Sequence, residues 1–371
     1  MHIPMLDLKA QYSSYRDQAL AALTRVADSQ YFIMGPEVVA FEQSLADYTR
    51  VHHVRGMSSG TDALLAALMA LEVGPGDEVV TTAFSFFATA GVIARLGAKP
   101  VFVDIDPHTF NATQTQLEQA GSANTKAMIP VHLYGQMSDL EELNAKSSRP
   151  AIIEDAAQSL GARFNGRMTG HFGDCACVSF FPSKNLGGFG DGGAVLTHDE
   201  AFAERLHIMR VHGAKPKYFH HVVGGNFRLD AIQAAVLAVK LPHLDTWADG
   251  RRANAERYNG LFAQSGLVDR GLITLPVESP GAHHVYNQYV LRTQRRDSLK
   301  AHLAERGVSS MIYYPTPLHL QPCFAQLGYA PGDFPHAERA ANEVLAIPVY
   351  PELTLHQQRY IVEQVSDFFG L

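Results

Sequence analysis

Four short apolar segments, separated by amphipathic stretches, follow one another between residues 78 and 154. Each segment has the length and composition of a buried strand, and each stretch between them has the composition of a helix. Strands that alternate with helices form βα units, which assemble into a mostly parallel sheet with helices on both faces. We therefore predict an α/β fold with ligand-binding groups at the carboxyl ends of its strands. The four predicted strands are residues 78–82, 100–104, 127–131 and 151–154.

Pro242 marks a predicted domain boundary. A predicted helix over residues 229–240 ends just before it, because proline cannot continue a helix. With 371 residues, of which 46% are hydrophobic, the chain can bury a large core and a smaller second one. We place a large domain at residues 1–242 and a small C-terminal domain at 243–371. The elements predicted beyond Pro242 are a connecting helix over 245–258, a strand over 284–291 and a closing helix over 355–369.

Lys184 lies in a segment that is unusually rich in glycine. Ser183 and Asn185 flank it, and five glycines follow between positions 187 and 193. Such a run lets backbone approach a ligand closely and would not be tolerated in a packed helix. Most lysines are solvated surface groups. On a tight polar loop between two strands, however, Lys184 is also a candidate for a carbonyl-reactive amine.

Asp155 is the second candidate, because it follows the apolar segment 151–154 and so ends a buried strand. Many aspartates at strand ends are turn residues. A lysine that forms a Schiff base and an aspartate that pairs with a pyridinium nitrogen are, together, the protein groups that pyridoxal phosphate (PLP) requires. Lys184 and Asp155 therefore predict a PLP site.

The glycines at 188, 190 and 193 also satisfy the G-x-G-x-x-G spacing of a dinucleotide-binding turn. That turn follows a strand and opens a helix. Here the glycines lead into residues 193–197, which have the composition of another short strand. The sequence therefore argues against a nicotinamide dinucleotide site.

Residues 57–64 contain Ser59, Gly60 and Thr61 and precede a run of strong helix formers at 65–71. Backbone N–H groups at the start of a helix can hold an anion, which the helix dipole also favours. An ordinary N-cap explains the same residues. In combination with Lys184, we expect a phosphate here.

Composition excludes several other classes of function. The formal net charge of -7 and the absence of a basic cluster argue against a nucleic-acid surface, and no apolar run reaches the length that spans a membrane. The first residues lack the pattern of a secretory signal, so we expect a cytoplasmic protein. Three cysteines cannot form a disulfide framework, and Cys175 and Cys177 are expected to pack above and below a sheet. The histidines show no metal-binding spacing, and we expect no metal.

The chain resembles the DegT/DnrJ/EryC1/StrS family of PLP-dependent sugar aminotransferases over nearly its whole length. Nine stretches carry the resemblance, in the order found in that family. They are residues 4–8, 34–37, 59–64, 74–79, 85–89, 154–159, 179–184, 190–193 and 225–230.

The resemblance implies a role for each matched residue. Lys184 holds PLP as a Schiff base and later carries the proton between the substrate carbon and the cofactor. Asp155 pairs with the pyridinium nitrogen, and Gln158 donates to the phenolic oxygen. Some relatives carry histidine in place of this lysine and act as sugar dehydratases, so the presence of Lys184 favours transamination.

Further matches concern the phosphate and the ring of the cofactor. Gly60, Thr61 and Ser179 match the phosphate-binding residues, and Phe86 matches an aromatic residue that stacks on the ring, although it could equally be a core phenylalanine. Asn226 matches a residue that reaches the phosphate in the neighbouring subunit. The resemblance therefore implies a homodimer with shared active sites.

The implied fold is that of the aspartate aminotransferase superfamily, fold type I, with a large PLP-binding domain and a small C-terminal α/β domain. The implied reaction moves an amino group from glutamate to a nucleotide-linked keto sugar in a ping-pong cycle, for amino sugars of a surface polysaccharide or a glycosylated metabolite. Two alternatives remain open: a cyclitol-ketone aminotransferase of the same fold, and a PLP-binding regulatory protein without turnover.

The identity of the sugar is the least determined part of the prediction. The sequence from Asn226 to Asp230 is more similar to members that aminate C3 than to those that aminate C4. Many C3 members, however, have histidine where Tyr313 stands. Tyr314 and His319 are candidates for sugar contacts, with loop packing as the alternative. The sequence does not distinguish a UDP-sugar from a dTDP-sugar.

Overall fold

The computed structural model describes residues 1–371 and contains thirteen α-helices, twelve strands and four short 3₁₀ turns. The helices are α1 (Leu8–Ser13), α2 (Arg16–Ser29), α3 (Pro36–Thr49), α4 (Gly60–Ala70), α5 (Ala88–Arg95), α6 (Gln114–Gln119), α7 (Glu141–Asn144), α8 (Glu200–Met209), α9 (Ala231–Lys240), α10 (Leu244–Gln264), α11 (Arg296–Glu305), α12 (Pro335–Glu343) and α13 (Leu355–Phe369). The strands are β1 (His53–Met57), β2 (Glu78–Thr82), β3 (Lys99–Val103), β4 (Thr125–Ile129), β5 (Ala151–Asp155), β6 (Arg163–Phe164), β7 (Arg167–Met168), β8 (Cys175–Ser179), β9 (Gly193–Thr197), β10 (Ala282–His283), β11 (Tyr289–Arg292) and β12 (Val344–Ile347). None of these helices combines the length and the apolar character needed to cross a membrane.

The centre of the molecule is a seven-stranded sheet with the order β1-β9-β8-β5-β4-β2-β3. Strands β8, β5, β4, β2 and β3 pair in parallel, and only β9 runs against its neighbours. The predicted mostly parallel α/β sheet is therefore confirmed. All four strands predicted between residues 78 and 154 are present, each within two residues of the expected ends.

Helices cover both faces of this sheet. On one face, α2, α3 and α9 pack against Val54, Ala176 and Val178. On the other, α4, α5 and α8 pack against a second set of strand side chains that includes Cys175 and Cys177. The expectation that these cysteines lie on opposite faces is wrong, because residues two apart on a strand point to the same side.

The sheet positions the predicted site residues through the ends of its central strands. β5 lies between β4 and β8, so its last residue, Asp155, lies in the middle of the sheet. β8 ends at Ser179, which pairs with Gly193 at the start of β9. The connection between these two antiparallel strands carries Lys184, as predicted. Asp155, Ser179 and Lys184 therefore all lie on the side of the sheet where the parallel strands β5 and β8 have their carboxyl ends.

The C-terminal part of the chain has a core of its own, formed by α10, α11, α13 and the two-stranded sheet of β11 and β12. The predicted boundary near residue 242 falls in the 3₁₀ turn Leu241–His243, between α9 and α10. The closing helix is present as predicted. The strand expected over 284–291 begins only at Tyr289, because the preceding residues bond to a turn of the large sheet: Val285 N–H donates to Gly135 O at 2.9 Å.

Candidate active site

Asp155 presents a carboxylate that is almost completely buried at the end of β5. Its Oδ2 accepts a hydrogen bond from Thr89 Oγ1 at 2.8 Å, and its Oδ1 accepts one from the Ala157 N–H at 3.2 Å. Burial raises the pKa of Asp155, and these two hydrogen bonds and the charge of Lys184 oppose that rise. The carboxylate is therefore held in one orientation, in a setting where a cationic partner would stabilise it strongly.

Lys184 provides an amine whose charge interacts with this carboxylate. The residue as a whole is partly exposed, but its ammonium group is buried. Desolvation of this group lowers the pKa of Lys184 to about 8, although the negative charge of Asp155 acts to raise it. Its loop turns tightly, since the Lys184 N–H donates to Phe181 O at 2.8 Å. Gly187 is required for that turn, because a Cβ there would lie 2.2 Å from the Pro182 carbonyl oxygen. The loop therefore holds an amine that is readily deprotonated.

The start of α4 forms a cradle beside this loop. Ser59 caps the helix by accepting the Asp62 N–H at 3.0 Å, which leaves the N–H groups of Gly60 and Thr61 without a partner inside the helix. A Cβ on Gly60 would lie only 2.7 Å from the Cβ of Ser179, so the two residues are in direct contact. Two free N–H groups and a neighbouring hydroxyl suit a phosphate.

Gln158 is fixed in one orientation by two hydrogen bonds. Its Oε1 accepts the Tyr134 N–H at 2.7 Å, so its Nε2 donates, here to the Tyr314 hydroxyl at 3.1 Å. The Tyr314 ring lies 6.1 Å from that of Phe86, a side chain that is 55% exposed. Burial raises the pKa of Tyr314, which therefore stays a neutral hydroxyl. Phe86 offers an open aromatic face next to this group.

The other two predicted site residues have different surroundings. Asn226 is exposed, on a segment that runs beside the start of α4, where Phe227 O accepts the Ser58 N–H at 2.9 Å. His319 is buried, packs against Phe334 with ring centroids 4.7 Å apart, and lies 3.2 Å from Glu338. The structure thus brings Tyr314 to the Gln158 amide and His319 to a separate aromatic cluster.

Two residues of the site were not identified from the sequence. Thr89 lies within a stretch that carries the family resemblance, but its bond to Asp155 spans 66 positions and becomes visible only when α5 packs beside β5. Tyr134 follows β4 with a φ of 60°, a left-handed conformation that gives no clear sequence signal for a tyrosine. Its backbone N–H determines which way the Gln158 amide points.

Together these residues fit PLP. The cradle of Gly60, Thr61 and Ser179 would hold its phosphate, and Asp155 would pair with its ring nitrogen. Lys184 would attach to its aldehyde carbon. When bound, PLP supplies an electron sink that stabilises negative charge on a substrate carbon. The protein would supply the orientation of the ring, a carboxylate that favours the protonated ring nitrogen, and an amine that can carry a proton.

The lowered pKa of Lys184 predicts the pH dependence of cofactor capture. Attachment requires the neutral amine, which is roughly one-tenth of the population at pH 7 for a pKa of about 8, and less than about one-thousandth for an ordinary lysine. We expect the capture rate of the apoprotein to rise about tenfold per pH unit and to level off above about 8. Stopped-flow visible absorbance after mixing with PLP measures this rate.

The same titration in Asp155→Asn is expected to have a lower midpoint. The Asp155 carboxylate favours the protonated ammonium of Lys184, so its removal lowers the pKa of that lysine further. A higher midpoint in the variant would contradict the charge interaction between these two residues, and a wild-type midpoint near the ordinary lysine value would contradict the lowering of the Lys184 pKa by desolvation.

The similarity of the chain to characterised proteins extends over its full length. It is 52% identical over 371 residues, covering 100% of this chain and 99% of the relative, to the pleiotropic regulatory protein of Geobacillus stearothermophilus. It is 42% identical to the dTDP-3-amino-3,4,6-trideoxy-alpha-D-glucose transaminase of Streptomyces venezuelae, covering 99% and 96% of the two chains. It is 44% identical to the UDP-N-acetyl-3-dehydro-alpha-D-glucosamine 3-aminotransferase of Acidithiobacillus ferrooxidans, covering 96% and 95%.

Solved structures show the same similarity. DesV of S. venezuelae, determined in complex with a ketimine intermediate, superposes with a TM-score of 0.94 at 41% identity, covering 100% of this chain and 99% of that one. NtdA of Bacillus subtilis, determined with bound pyridoxamine phosphate, superposes with a TM-score of 0.92 at 32% identity, covering 100% and 86%.

Residues 13–366 match the family model of the DegT/DnrJ/EryC1/StrS aminotransferases. The family, the superposition on cofactor-bound structures and the fit of the site residues agree on the cofactor and on the type of reaction. The chain therefore belongs to the DegT/DnrJ/EryC1/StrS aminotransferase family and is a PLP-dependent aminotransferase.

Proposed function

We propose that this enzyme transfers an amino group from glutamate to a nucleotide-linked keto sugar, a UDP- or dTDP-sugar, at C3 rather than C4. The names of two relatives support the acceptor: one is a dTDP-sugar transaminase and the other a UDP-sugar aminotransferase, and both names place the amine at position 3. The product would serve an amino-sugar pathway that leads to a surface polysaccharide or a glycosylated metabolite.

The arrangement of Lys184 and Asp155 is the observation that carries the transamination. Asp155 would keep the ring nitrogen protonated, which increases the electron demand on the substrate carbon. Lys184 Nζ would remove the proton from that carbon and return it on the other side of the C–N bond. A pKa of about 8 suits an amine that must both accept and release a proton near neutral pH.

The position of Tyr314 supports the proposal that the small domain contributes to specificity for the amino acceptor. Its hydroxyl oxygen accepts a hydrogen bond from the Gln158 amide. The hydroxyl proton therefore remains available for donation to an oxygen on the cofactor or on the sugar. The segment that carries it is anchored to the large sheet, because Leu318 N–H donates to Ala83 O at 2.7 Å. We propose Tyr314 as a contact at the junction of cofactor and substrate. His319 would act through the packing of this segment.

A single-turnover experiment tests the acceptor class. The pyridoxamine-phosphate form of the enzyme is mixed with UDP- and dTDP-linked 3-keto and 4-keto sugars and with cyclitol ketones, and the return of the visible band of the lysine-bound cofactor is followed. We expect the fastest return with a nucleotide-linked 3-keto sugar. Faster return with a 4-keto sugar would refute the C3 assignment, and faster return with a cyclitol ketone would favour that alternative. The donor is tested in the opposite direction, by loss of the visible band with glutamate and formation of 2-oxoglutarate.

One of the three relatives carries the name of a regulatory protein. The family match over residues 13–366 and the complete set of Lys184, Asp155 and Gln158 weigh against the alternative of a PLP-binding regulatory protein without turnover. The same single-turnover experiment tests this: return of the visible band with any acceptor of the panel would exclude a protein without turnover.

We propose that the enzyme acts in the cytoplasm. All three cysteines are free, and the thiol of Cys323 is on an exposed residue. An exposed free thiol suits a reducing compartment.

We also propose a homodimer with shared active sites. The segment just before Asn226 exposes large apolar side chains: Tyr218 is 77%, Phe219 65% and Val223 87% exposed. Apolar side chains exposed together are typical of a protein interface. In a symmetric dimer this segment would cover the neighbouring subunit and bring Asn226 to its phosphate cradle.

A mixed dimer of Lys184→Ala and Asn226→Asp subunits tests this arrangement. If Asn226 serves the neighbouring site, one site of the mixed dimer carries both defects and the other carries neither. About half of the wild-type activity is then expected to return, as measured on heterodimers isolated with two affinity tags. Activity no higher than in either mutant homodimer, or a fully active wild-type monomer, would contradict the shared-site arrangement.

A further inference from the structure

Glu154 and His132 form a buried pair directly behind the cofactor site. Both side chains are completely inaccessible to solvent, and His132 Nε2 lies 2.8 Å from Glu154 Oε2. Glu154 precedes Asp155 on β5, so the two carboxylates point to opposite faces of the sheet. Glu154 therefore cannot contact a cofactor that pairs with Asp155, and the transamination steps described above make no use of it.

The hydrogen bonds around the pair define its protonation. His132 Nδ1 accepts the Ser138 N–H at 3.0 Å, so a neutral imidazole carries its proton on Nε2 and donates it to Glu154. Glu154 Oε1 accepts two further donors, the N–H groups of Gly170 at 3.1 Å and Phe172 at 2.9 Å. A group that accepts three hydrogen bonds and donates none is an ionised carboxylate. Its burial is tolerated because each donor is in place.

The backbone of His132 connects this pair to Asp155. His132 N–H donates to Asp155 O at 3.0 Å, and Asp155 N–H donates to Pro130 O at 2.9 Å. These bonds extend the pairing of β4 with β5 to the last residue of β5. The position of the Asp155 backbone, and with it the reach of its carboxylate, therefore depends on where the His132 ring is held.

The same histidine also determines the position of Gln158. Two residues after His132, the Tyr134 N–H donates to Gln158 Oε1 at 2.7 Å. The turn that carries Tyr134 begins at His132, which is held to β5 both by its backbone N–H and by its side chain. Asp155 and Gln158, which are proposed to contact the ring nitrogen and the phenolic oxygen of the cofactor, therefore share one anchor.

We propose that Glu154 and His132 are positioning residues that hold Asp155 and Gln158 against the cofactor ring through this shared anchor. The inference rests on the proposed roles of Asp155 and Gln158. Neither Glu154 nor His132 touches the cofactor or the substrate, so their contribution is to the placement of the residues that do.

An amide cannot replace Glu154 in either orientation. If the oxygen of Glu154→Gln accepts from His132, its NH₂ group faces the N–H groups of Gly170 and Phe172, and donors oppose donors. If the amide is reversed, its NH₂ group faces His132 Nε2–H, so two donors again meet. The other tautomer of His132, with its proton on Nδ1, would instead place that proton against the Ser138 N–H. We therefore expect Glu154→Gln to displace the 132–134 turn although it is nearly the same size as glutamate.

The readout is the pH titration of the visible band of the lysine-bound cofactor, which requires no substrate. If Asp155 is displaced, the ring nitrogen loses its positive charge, and the linked lysine nitrogen then accepts a proton more easily. We expect the midpoint in Glu154→Gln to rise by roughly one pH unit, and the dissociation constant for PLP to increase about tenfold. Leu299→Ala creates a cavity in the core of the C-terminal part and is the control for a general loss of stability. It should leave the midpoint of the visible-band titration unchanged.

His132 supplies a second and independent pair of variants. His132→Gln retains an N–H donor that can reach Glu154, whereas His132→Phe retains only the ring. We expect the midpoint of His132→Gln to lie between those of the wild type and His132→Phe. This comparison also decides the matter if Glu154→Gln yields no folded protein.

Asp155→Asn is titrated alongside, so that two kinds of failure can be told apart. A shifted midpoint in Asp155→Asn, combined with Glu154→Gln and His132→Phe midpoints no different from that of Leu299→Ala, would overturn the positioning role alone. An unchanged midpoint in Asp155→Asn would overturn the proposed role of Asp155 as well.

Discussion

Replacement of Lys184 by alanine is expected to abolish the visible absorbance of the enzyme and to reduce transamination by at least about a thousandfold. We propose two functions for this lysine that no neighbouring group can assume, namely attachment of the cofactor and transfer of the proton at the substrate carbon. The variant should still bind PLP without a covalent bond, because Asp155, Ser179 and the start of α4 are unchanged. Absorbance spectra, PLP content after gel filtration and single-turnover rates with an amino donor measure the three effects.

Lys184→Arg is the matched control for charge. Arginine retains the positive charge near Asp155, but it stays protonated at every accessible pH and so cannot attach the cofactor. We expect it to be as inactive as Lys184→Ala. A wild-type protein that PLP does not colour, or a Lys184→Ala variant that keeps the visible band, would remove Lys184 from the role assigned to it.

Asp155→Asn is expected to retain PLP and to lose activity by roughly 10²- to 10³-fold. The loss corresponds to about 3–4 kcal/mol, which lies within the roughly 3–5 kcal/mol that removal of one partner of a buried ion pair usually costs. A neutral amide cannot keep the ring nitrogen protonated, so the ring becomes a weaker electron sink. Because the phosphate cradle and Lys184 remain, the visible band should persist. Pre-steady-state kinetics of the glutamate half-reaction isolate the effect on proton removal.

Asp155→Glu serves as the control for position. It restores a carboxylate on a longer side chain, and we expect partial activity between those of the wild type and Asp155→Asn. Rates near the wild-type value in Asp155→Asn would show that the ring nitrogen does not depend on this carboxylate.

Much of the fold could be predicted from local patterns. The four strands between residues 78 and 154, the helix that follows Ser59 and the closing helix α13 were all recognised, because each has an apolar pattern or a cap within a few neighbouring residues. The placement of Lys184 between β8 and β9 followed from its glycines. Asp155 was recognised because parallel strands present their carboxyl ends to a ligand.

Contacts between distant segments could not be predicted in this way. The bonds from Thr89 to Asp155 and from Tyr134 to Gln158 join residues 66 and 24 positions apart. They depend on helix packing and on a left-handed backbone, and neither leaves a local pattern in the sequence. The strand predicted over 284–291 is shorter than expected for a related reason, since its first residues bond to the turn at Gly135 rather than to a neighbouring strand.

The division of the site between two parts of the chain has a consequence for how enzymes of this architecture can diversify. Apart from Asn226, the groups that would bind the cofactor come from strand ends, loops and a helix start in the first 200 residues, whereas Tyr314 enters from a segment more than a hundred positions later. If Tyr314 contacts the acceptor as proposed, substitutions in that later segment would change the acceptor site while Lys184 and Asp155 stay in place. Specificity for a new acceptor would then require changes in one loop and none in the residues proposed for proton transfer.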